Sequence, residues 1–214
     1  DKIIRIKTLH DRMSDEYYLI LKEMIKLDDV TAVAISSVVP DVTYVLTELF
    51  RNRLNIEPLV LGPKVKTGLM IKADNPREVG ADLICDAVGV KDEEALIIDL
   101  GTATKYLYVK NRTLLGVVIT PGVMVSIKAL VSNTALLPDV EIKVPNKVLG
   151  NNTINCMQSG ATYGVASQVD GMIKRIREEV KNPNLKVIGH SQTFWIEMSA
   201  DAPIKPPYAV YFQG

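Results

Sequence analysis

The sequence predicts an α/β protein that consists of two units with different orders of elements. Up to residue 61, strand-like and helix-like stretches alternate, whereas three strand-like stretches follow one another from residue 94 onward. The chain has 214 residues, of which 47% are hydrophobic, which is enough for two small domains with a core each. We therefore predict an N-terminal domain over residues 1–92 and a C-terminal domain over residues 93–210.

The first three elements are a strand, a helix and a strand. Residues 3–8 predict the first strand. Ser14 is a residue type that caps helices, and the apolar positions after it fall at helical spacing. These positions are Tyr17, Ile20, Leu21, Met24 and Ile25. The apolar residues of the stretch 31–36 predict a buried strand.

A second helix and a third strand complete this alternation. Pro40 suits the first turn of a helix, which carries an apolar face up to Phe50. Residues 58–61 predict a short strand, and a loop with a glycine at each end follows over residues 62–68. The next helix is predicted to begin at about Gly80.

The second half begins with three strands in succession. The strands are predicted over residues 95–99, 105–109 and 114–120. A helix is expected near Gly122, followed by a long helical region over residues 153–180 and a last strand over residues 185–189. No element is predicted beyond Ser191.

The order of elements matches a duplicated ribonuclease-H-like unit. The second half resembles the start of such a unit, with its three successive strands, and the first half resembles the end. We therefore expect two ribonuclease-H-like, actin-like units, with the first strands of the N-terminal unit missing before Asp1. The chain also starts without Met and ends in residues 211–214, YFQG, which resemble the remnant of a cleavable tag, so we expect a longer native protein.

Composition excludes several functional classes. Lys plus Arg equals Asp plus Glu at 25 each, so nothing indicates a nucleic-acid partner. No apolar run has membrane-spanning length, and we expect neither a signal peptide nor membrane association. Two histidines are too few for a His-rich metal site, and two distant cysteines fit free thiols in the cytoplasm.

The sequence DLGTAT, from Asp99 to Thr104, is the strongest functional signal. It joins two strands, and Gly101 permits a tight turn between them. The turn's N–H groups and the hydroxyls of Thr102 and Thr104 could hold phosphate oxygens, with Ala103 between them. Asp99 at the strand end is placed to hold a hydrated Mg²⁺.

Two interpretations of this hairpin remain open. It is typical of the phosphate loop in actin-like kinases and ATPases, and the P-loop pattern GxxxxGK[ST] does not occur in the chain. The alternative is an ordinary hairpin with a glycine turn.

Several segments together resemble the type III pantothenate kinases, bacterial enzymes that phosphorylate pantothenate at the first step of coenzyme A biosynthesis. The segments occur in the family's order between residue 5 and about residue 180. They are RIKTLHDRMSDEYY (5–18), ISSVVP (35–40), PLVLGPKVKTGL (58–69), DNPREVGAD (74–82), IIDLGTAT (97–104), GVVITPGV (116–123) and LGNNTINCMQSGATYG (149–164).

The resemblance implies roles for residues at matching positions. Asp82 would be the general base that takes the proton from the pantothenate hydroxyl. Asp99 would hold the metal beside the phosphate motif. The pocket for pantothenate would be formed by Gly80, Thr153, Gly62, Lys66, Thr67 and Gly68.

The resemblance also implies cofactors and a partner. Members use ATP with Mg²⁺ and typically need a monovalent cation such as K⁺ or NH₄⁺. They are typically homodimers with pantothenate bound near the subunit interface, and the apolar helices of the second half agree with this expectation.

This chain departs from the family at charged positions. Leu83 stands where the family usually has an Arg that binds the pantothenate carboxylate. After Thr104 the family motif usually continues T-x-D, whereas this chain has Lys105 and Leu107 at those two positions. We expect Lys105 to face the phosphate region and to be able to replace a monovalent cation.

The departures keep two other functions open beside pantothenate phosphorylation. One is a catalytically weakened homologue that acts as a ligand-binding or regulatory protein. The other is a different actin-like phosphotransferase, in which Leu83 would match an uncharged end of the acceptor.

Overall fold

A computed structural model describes residues 4, 6–9, 11–62 and 65–191, with side chains described up to residue 189. These residues form a mixed α/β structure with two compact units, one ending at Gly89 and the other beginning at Val90. The assignment of both units as ribonuclease-H-like, and the domain limits 1–92 and 93–210, stay predictions. Residues 192–210 and the expected tag remnant 211–214 lie outside the described residues.

The first unit contains three helices and three short strands. The helices are α1 (Ser14–Met24), α2 (Pro40–Leu54) and α3 (Ala81–Gly89), and the strands are β1 (Ala34–Ile35), β2 (Leu59–Val60) and β3 (Met70–Ile71). Strands β1 and β2 pair in parallel. Helices α1 and α2 bury their apolar faces against β1, with Leu21, Ile35, Leu46 and Leu49 in the core.

Two details of the first unit differ from the sequence prediction. The prediction of a strand over residues 3–8 is wrong at every described position of that stretch, since none of these residues has strand structure. The cap of α1 is Met13 and not Ser14, which is the first helical residue. The Glu16 carboxylate accepts a hydrogen bond from the Met13 N–H at 2.8 Å, so the helix start needs no hydroxyl cap.

The second unit is a sheet with helices packed on it. Its strands are β4 (Glu94–Leu100), β5 (Ala103–Lys110), β6 (Thr113–Pro121) and β7 (Lys186–Ser191). Strands β4, β5 and β6 are antiparallel neighbours, and β7 pairs in parallel with β4. The three successive strands and the last strand are therefore where the sequence predicted them, within one or two residues.

The second unit has three helices, of which α6 packs on one face of this sheet. They are α4 (Val123–Ser132), α5 (Thr153–Ser159) and α6 (Val165–Glu179), and a π-helical turn over Gly160–Gly164 joins the last two. Leu96, Ile98 and Tyr106 form a core with Val169 and Ile173 of α6. Side chains alternate between the two faces of a strand, so the other face of β4 and β5 carries residues 97, 99, 105 and 107, which are also buried.

Replacing Tyr106 with Phe is expected to leave the free energy of unfolding unchanged or to raise it by up to about 1 kcal/mol. The Tyr106 hydroxyl is buried and has no hydrogen-bond partner among the described residues. The matched control is Tyr108→Phe, which should lower stability by about 1 kcal/mol because the Tyr108 hydroxyl donates to Glu94 at 2.6 Å. Urea unfolding of both variants measures the difference.

Tyr106→Phe also tests how the free energy of unfolding depends on pH. Burial raises the pKa of Tyr106 to about 12, whereas an unfolded tyrosine ionises at about 10. The contribution of neutral Tyr106 is therefore complete below pH 10 and is lost as the pH rises toward 12. Tyr106→Phe should show a shallower alkaline loss of stability than the wild type, and an unchanged slope would contradict this assignment.

Candidate active site

The DLGTAT sequence forms a tight hairpin between β4 and β5. Leu100 pairs with Thr104 across the two strands, and Gly101 and Thr102 make the turn. The Gly101 N–H donates to the carbonyl of Ala103 at 3.1 Å. The side chain of Thr102 is exposed at the tip, whereas Thr104 is buried at the base.

A buried ion pair lies directly beneath this turn. Asp99 and Lys105 are opposite one another on β4 and β5, and the Lys105 Nζ lies 2.7 Å from the Asp99 Oδ2. Asp99 is fully buried and only 7% of Lys105 is exposed. A Cβ atom built on Gly101 would lie 3.7 and 3.9 Å from the two carboxylate oxygens of Asp99. The carboxylate therefore lies at the base of the turn, with the ammonium beside it.

The N-terminus of α4 packs against the same turn. The Gly122 N–H donates to the Thr102 carbonyl at 3.0 Å. A Cβ atom on Gly122 would overlap the carbonyl oxygens of Gly101 and Thr102, so only glycine allows this approach. The unpaired N–H groups at the start of a helix favour anions, and α4 brings them next to the hairpin.

The residues at the hairpin do not fit direct coordination of Mg²⁺. A protein-bound Mg²⁺ keeps several waters and takes one or two carboxylates. Asp99 is a single, fully buried carboxylate that is already bound to an ammonium. The described residues contain no group of three or more His, Cys, Asp or Glu side chains that could hold a metal ion. The role of Asp99 as a metal ligand stays a prediction.

Asp82 lies in the first turn of α3 and is partly exposed. Its Oδ1 accepts a hydrogen bond from the Leu83 N–H at 2.9 Å. A Cβ atom on Gly80 would overlap this Oδ1, so Gly80 leaves room for the carboxylate. The same Cβ would lie 3.6 Å from Val38, which places the carboxylate near the loop after β1.

The surroundings of Asp82 are acidic and apolar. Burial raises the pKa of the neighbouring Cys85 thiol, and the charges of Asp86 and Asp82 raise it further against a hydrogen bond with Ser36. Leu83 is buried, with 9% of its surface exposed. The position where the family usually has Arg therefore supplies a core side chain and no positive charge.

The glycine loop of the first unit is held by its own backbone. The Val65 N–H donates to the Gly62 carbonyl at 3.0 Å, and the Thr67 hydroxyl accepts from the Leu69 N–H at 3.2 Å. Gly68 has a φ of 72°, a conformation that favours glycine. The Lys66 side chain is exposed and able to meet a ligand.

Thr153 begins α5 in the second unit and is exposed. Asn152 caps this helix, because its side-chain oxygen accepts from the Asn155 N–H at 2.9 Å. The structure thus brings Gly80 together with Asp82 in the first unit, and Asp99 together with the hairpin in the second. The sequence analysis missed the role of Gly122 beside the hairpin. Its position directly after Pro121 at a strand end was the available signal.

Replacing Gly80 with Ala is expected to turn the Asp82 carboxylate away from its present position, because the new Cβ would occupy the space of Oδ1. If Asp82 is the general base, the turnover rate should fall by a factor on the order of 100. The fold should survive, because a side chain can rotate away. The control is Gly171→Ala, which meets open space in α6. Steady-state kinetics measure the turnover rate of both variants. Equal losses of turnover in Gly80→Ala and Gly171→Ala would contradict the role of Gly80.

Comparison with known proteins gives two matches that cover most of the chain. The family model for type III pantothenate kinase matches residues 2–175. A type III pantothenate kinase from Acholeplasma laidlawii (strain PG-8A) is 52% identical over 181 residues, which cover 84% of this chain and 73% of the relative.

Two solved structures are more distant. The match to a Baf family transcriptional activator from Campylobacter jejuni covers 80% of this chain and 72% of the activator, with 17% identity and a TM-score of 0.48. The match to a Ppx/GppA phosphatase from Aquifex aeolicus covers 83% of this chain and 50% of the phosphatase, with 15% identity and a TM-score of 0.39. At these scores we infer nothing from either structure.

Together with the α/β fold and the glycine hairpin, these matches define the chain as a phosphotransferase. It belongs to the type III pantothenate kinase family, which confirms the resemblance seen in the sequence.

Proposed function

We propose that this protein transfers the γ-phosphoryl group of ATP to pantothenate in the first step of coenzyme A biosynthesis, in the cytoplasm. The observation that carries the proposal is the packing of the start of α4 against the DLGTAT hairpin. The match of the family model to residues 2–175 supports it. A glycine turn next to the N-terminus of a helix is suited to phosphate oxygens.

In the proposed reaction, the hydroxyl oxygen of pantothenate forms a bond to the γ-phosphorus and the bond to the β-phosphate oxygen breaks. Asp82 accepts the hydroxyl proton, which a carboxylate at a partly exposed helix start can do. Positioning and neutralisation of the phosphate charge supply most of the acceleration in such transfers. The turn from Gly101 to Thr104, with the exposed Thr102 hydroxyl at its tip, and the start of α4 would serve this purpose.

The carboxylate of pantothenate needs a cationic partner that Leu83 does not supply. Lys66 in the glycine loop belongs to the same unit as Asp82 and is exposed. We propose Lys66 for this contact, alongside Gly62, Thr67 and Gly68 of the same loop, and the role of Thr153 in binding pantothenate stays a prediction. A charge-assisted hydrogen bond to a carboxylate is worth roughly 1.5–3 kcal/mol, so Lys66→Ala should raise the KM for pantothenate about tenfold or more.

A phosphorylation assay of the native-length protein tests this function. Pantothenate and ATP should yield ADP and phosphopantothenate, detected by mass spectrometry, and Asp82→Asn should abolish the product. ADP release without phosphopantothenate, or no turnover with pantothenate but turnover with another hydroxyl compound, would contradict the proposal.

We also propose that the protein is a homodimer. Large apolar side chains are exposed in the second unit, on α4, on the segment that leads to α5 and in the first turn of α5. They include Val125 (40% exposed), Leu130 (47%), Leu136 (90%), Leu149 (87%) and Ile154 (52%). Apolar surface of this kind marks interfaces between proteins. Light scattering should report twice the monomer mass at micromolar concentration, and a stable monomer would contradict the proposal.

A further inference from the structure

We propose that Lys105 is a positioning residue that takes the place of a bound monovalent cation at Asp99, so that nucleotide binding by this protein does not depend on K⁺. The inference deepens the proposed function, on which it rests for the identity of the ligand. The observation behind it is the buried pair of Asp99 and Lys105 beneath the Gly101 turn.

The first step of the argument concerns the charge of Asp99. A carboxylate that is fully removed from water needs a cationic partner, since an isolated buried charge is very costly. The Lys105 ammonium supplies that charge at 2.7 Å and comes from the neighbouring strand of the same hairpin. It is part of the fold, so it is present at any salt concentration.

The second step concerns the ligands that a free cation would need. Cations such as K⁺ are bound by several oxygen atoms. The next residue of β5 on the same sheet face is Leu107, which is fully buried and apolar. Leu107 therefore offers no second carboxylate where the family motif has one, and the ammonium of Lys105 occupies the space next to the first.

The third step concerns the phosphate above the turn. An unneutralised carboxylate at the base of Gly101 would repel a phosphate group, because like charges disfavour one another at short range. Paired with Lys105, Asp99 contributes no net charge there. Because Lys105 neutralises Asp99, the local electrostatic potential is determined by the N–H groups of the turn and of the start of α4.

The test measures the Kd for ADP by calorimetry in a buffer with tetramethylammonium as the only monovalent cation, before and after addition of K⁺ or NH₄⁺. We expect the wild type to change by less than about twofold. Lys105→Ala should bind roughly ten- to a hundredfold more weakly, and NH₄⁺ or K⁺ should restore part of the affinity by entering the vacated space. The control is Lys186→Ala, which breaks an exposed ion pair with Asp92 and should behave as the wild type.

Thermal unfolding in the same samples gives a readout that needs no nucleotide. Addition of NH₄⁺ or K⁺ should raise the Tm of Lys105→Ala and leave that of the wild type unchanged. A wild type whose ADP affinity increases tenfold with K⁺ would overturn the proposal, even if Lys105→Ala fails to fold. So would a folded Lys105→Ala with wild-type affinity. A protein that binds ADP without K⁺ but does not phosphorylate pantothenate would contradict only the proposed function.

Discussion

Asp99→Asn is expected to lower the free energy of unfolding by on the order of 3 kcal/mol. The amide has the size of the carboxylate but no charge, so the variant leaves the ammonium of Lys105 buried without its counter-charge. Removing one partner of a buried ion pair is costly for that reason. Urea unfolding measures the loss.

The matched control removes the carboxylate of an exposed pair in the same unit. Asp92 contacts Lys186 at 2.8 Å, but both side chains are well exposed. Asp92→Asn should therefore change the free energy of unfolding by less than about 1 kcal/mol. Equal losses in the two variants would show that burial of the Asp99 pair has no special consequence.

Gly122→Ala is expected to reduce phosphoryl transfer by a factor on the order of 100 and to lower the free energy of unfolding by about 1–3 kcal/mol. The new Cβ would overlap two backbone carbonyl oxygens, those of Gly101 and Thr102, and would lie 2.9 Å from the Thr102 carbonyl carbon. Backbone atoms cannot rotate away as a side chain does, so the whole turn must shift. Single-turnover kinetics with ATP should show the loss in the chemical step.

The control for this variant is Gly116→Ala in β6, the strand that ends directly before Gly122. A Cβ atom at Gly116 meets no heavy atom within 4 Å. We expect Gly116→Ala to keep the transfer rate of the wild type. If Gly122→Ala also transfers phosphate at the normal rate, the packing of α4 against the hairpin is irrelevant to catalysis.

The order of elements and the hairpin could be predicted from the sequence because both depend on local patterns. The apolar residues around Asp99 and the glycine that follows predict the end of a strand and a turn. Pro40 likewise marks the start of α2. These signals lie within a few residues of the features they predict.

Other features depend on contacts that local patterns do not contain. The approach of Gly122 to Thr102 joins positions twenty residues apart, and only β-sheet register determines it. The burial of Leu83 depends on which face of α3 meets the core. The cap at Met13 depends on a side chain three residues later, which overrode the preference for a hydroxyl at Ser14.

Hydrogen exchange of the backbone amides with and without ADP tests the central claim most directly, since it locates the phosphate site without relying on activity. We predict that ADP slows exchange in residues 99–104 and at the start of α4 in residues 122–126, while the exposed turn at Asn111 and Arg112 keeps its rate. Protection elsewhere in the chain, with unchanged exchange in both of these segments, would contradict the assignment of the DLGTAT hairpin as the nucleotide site.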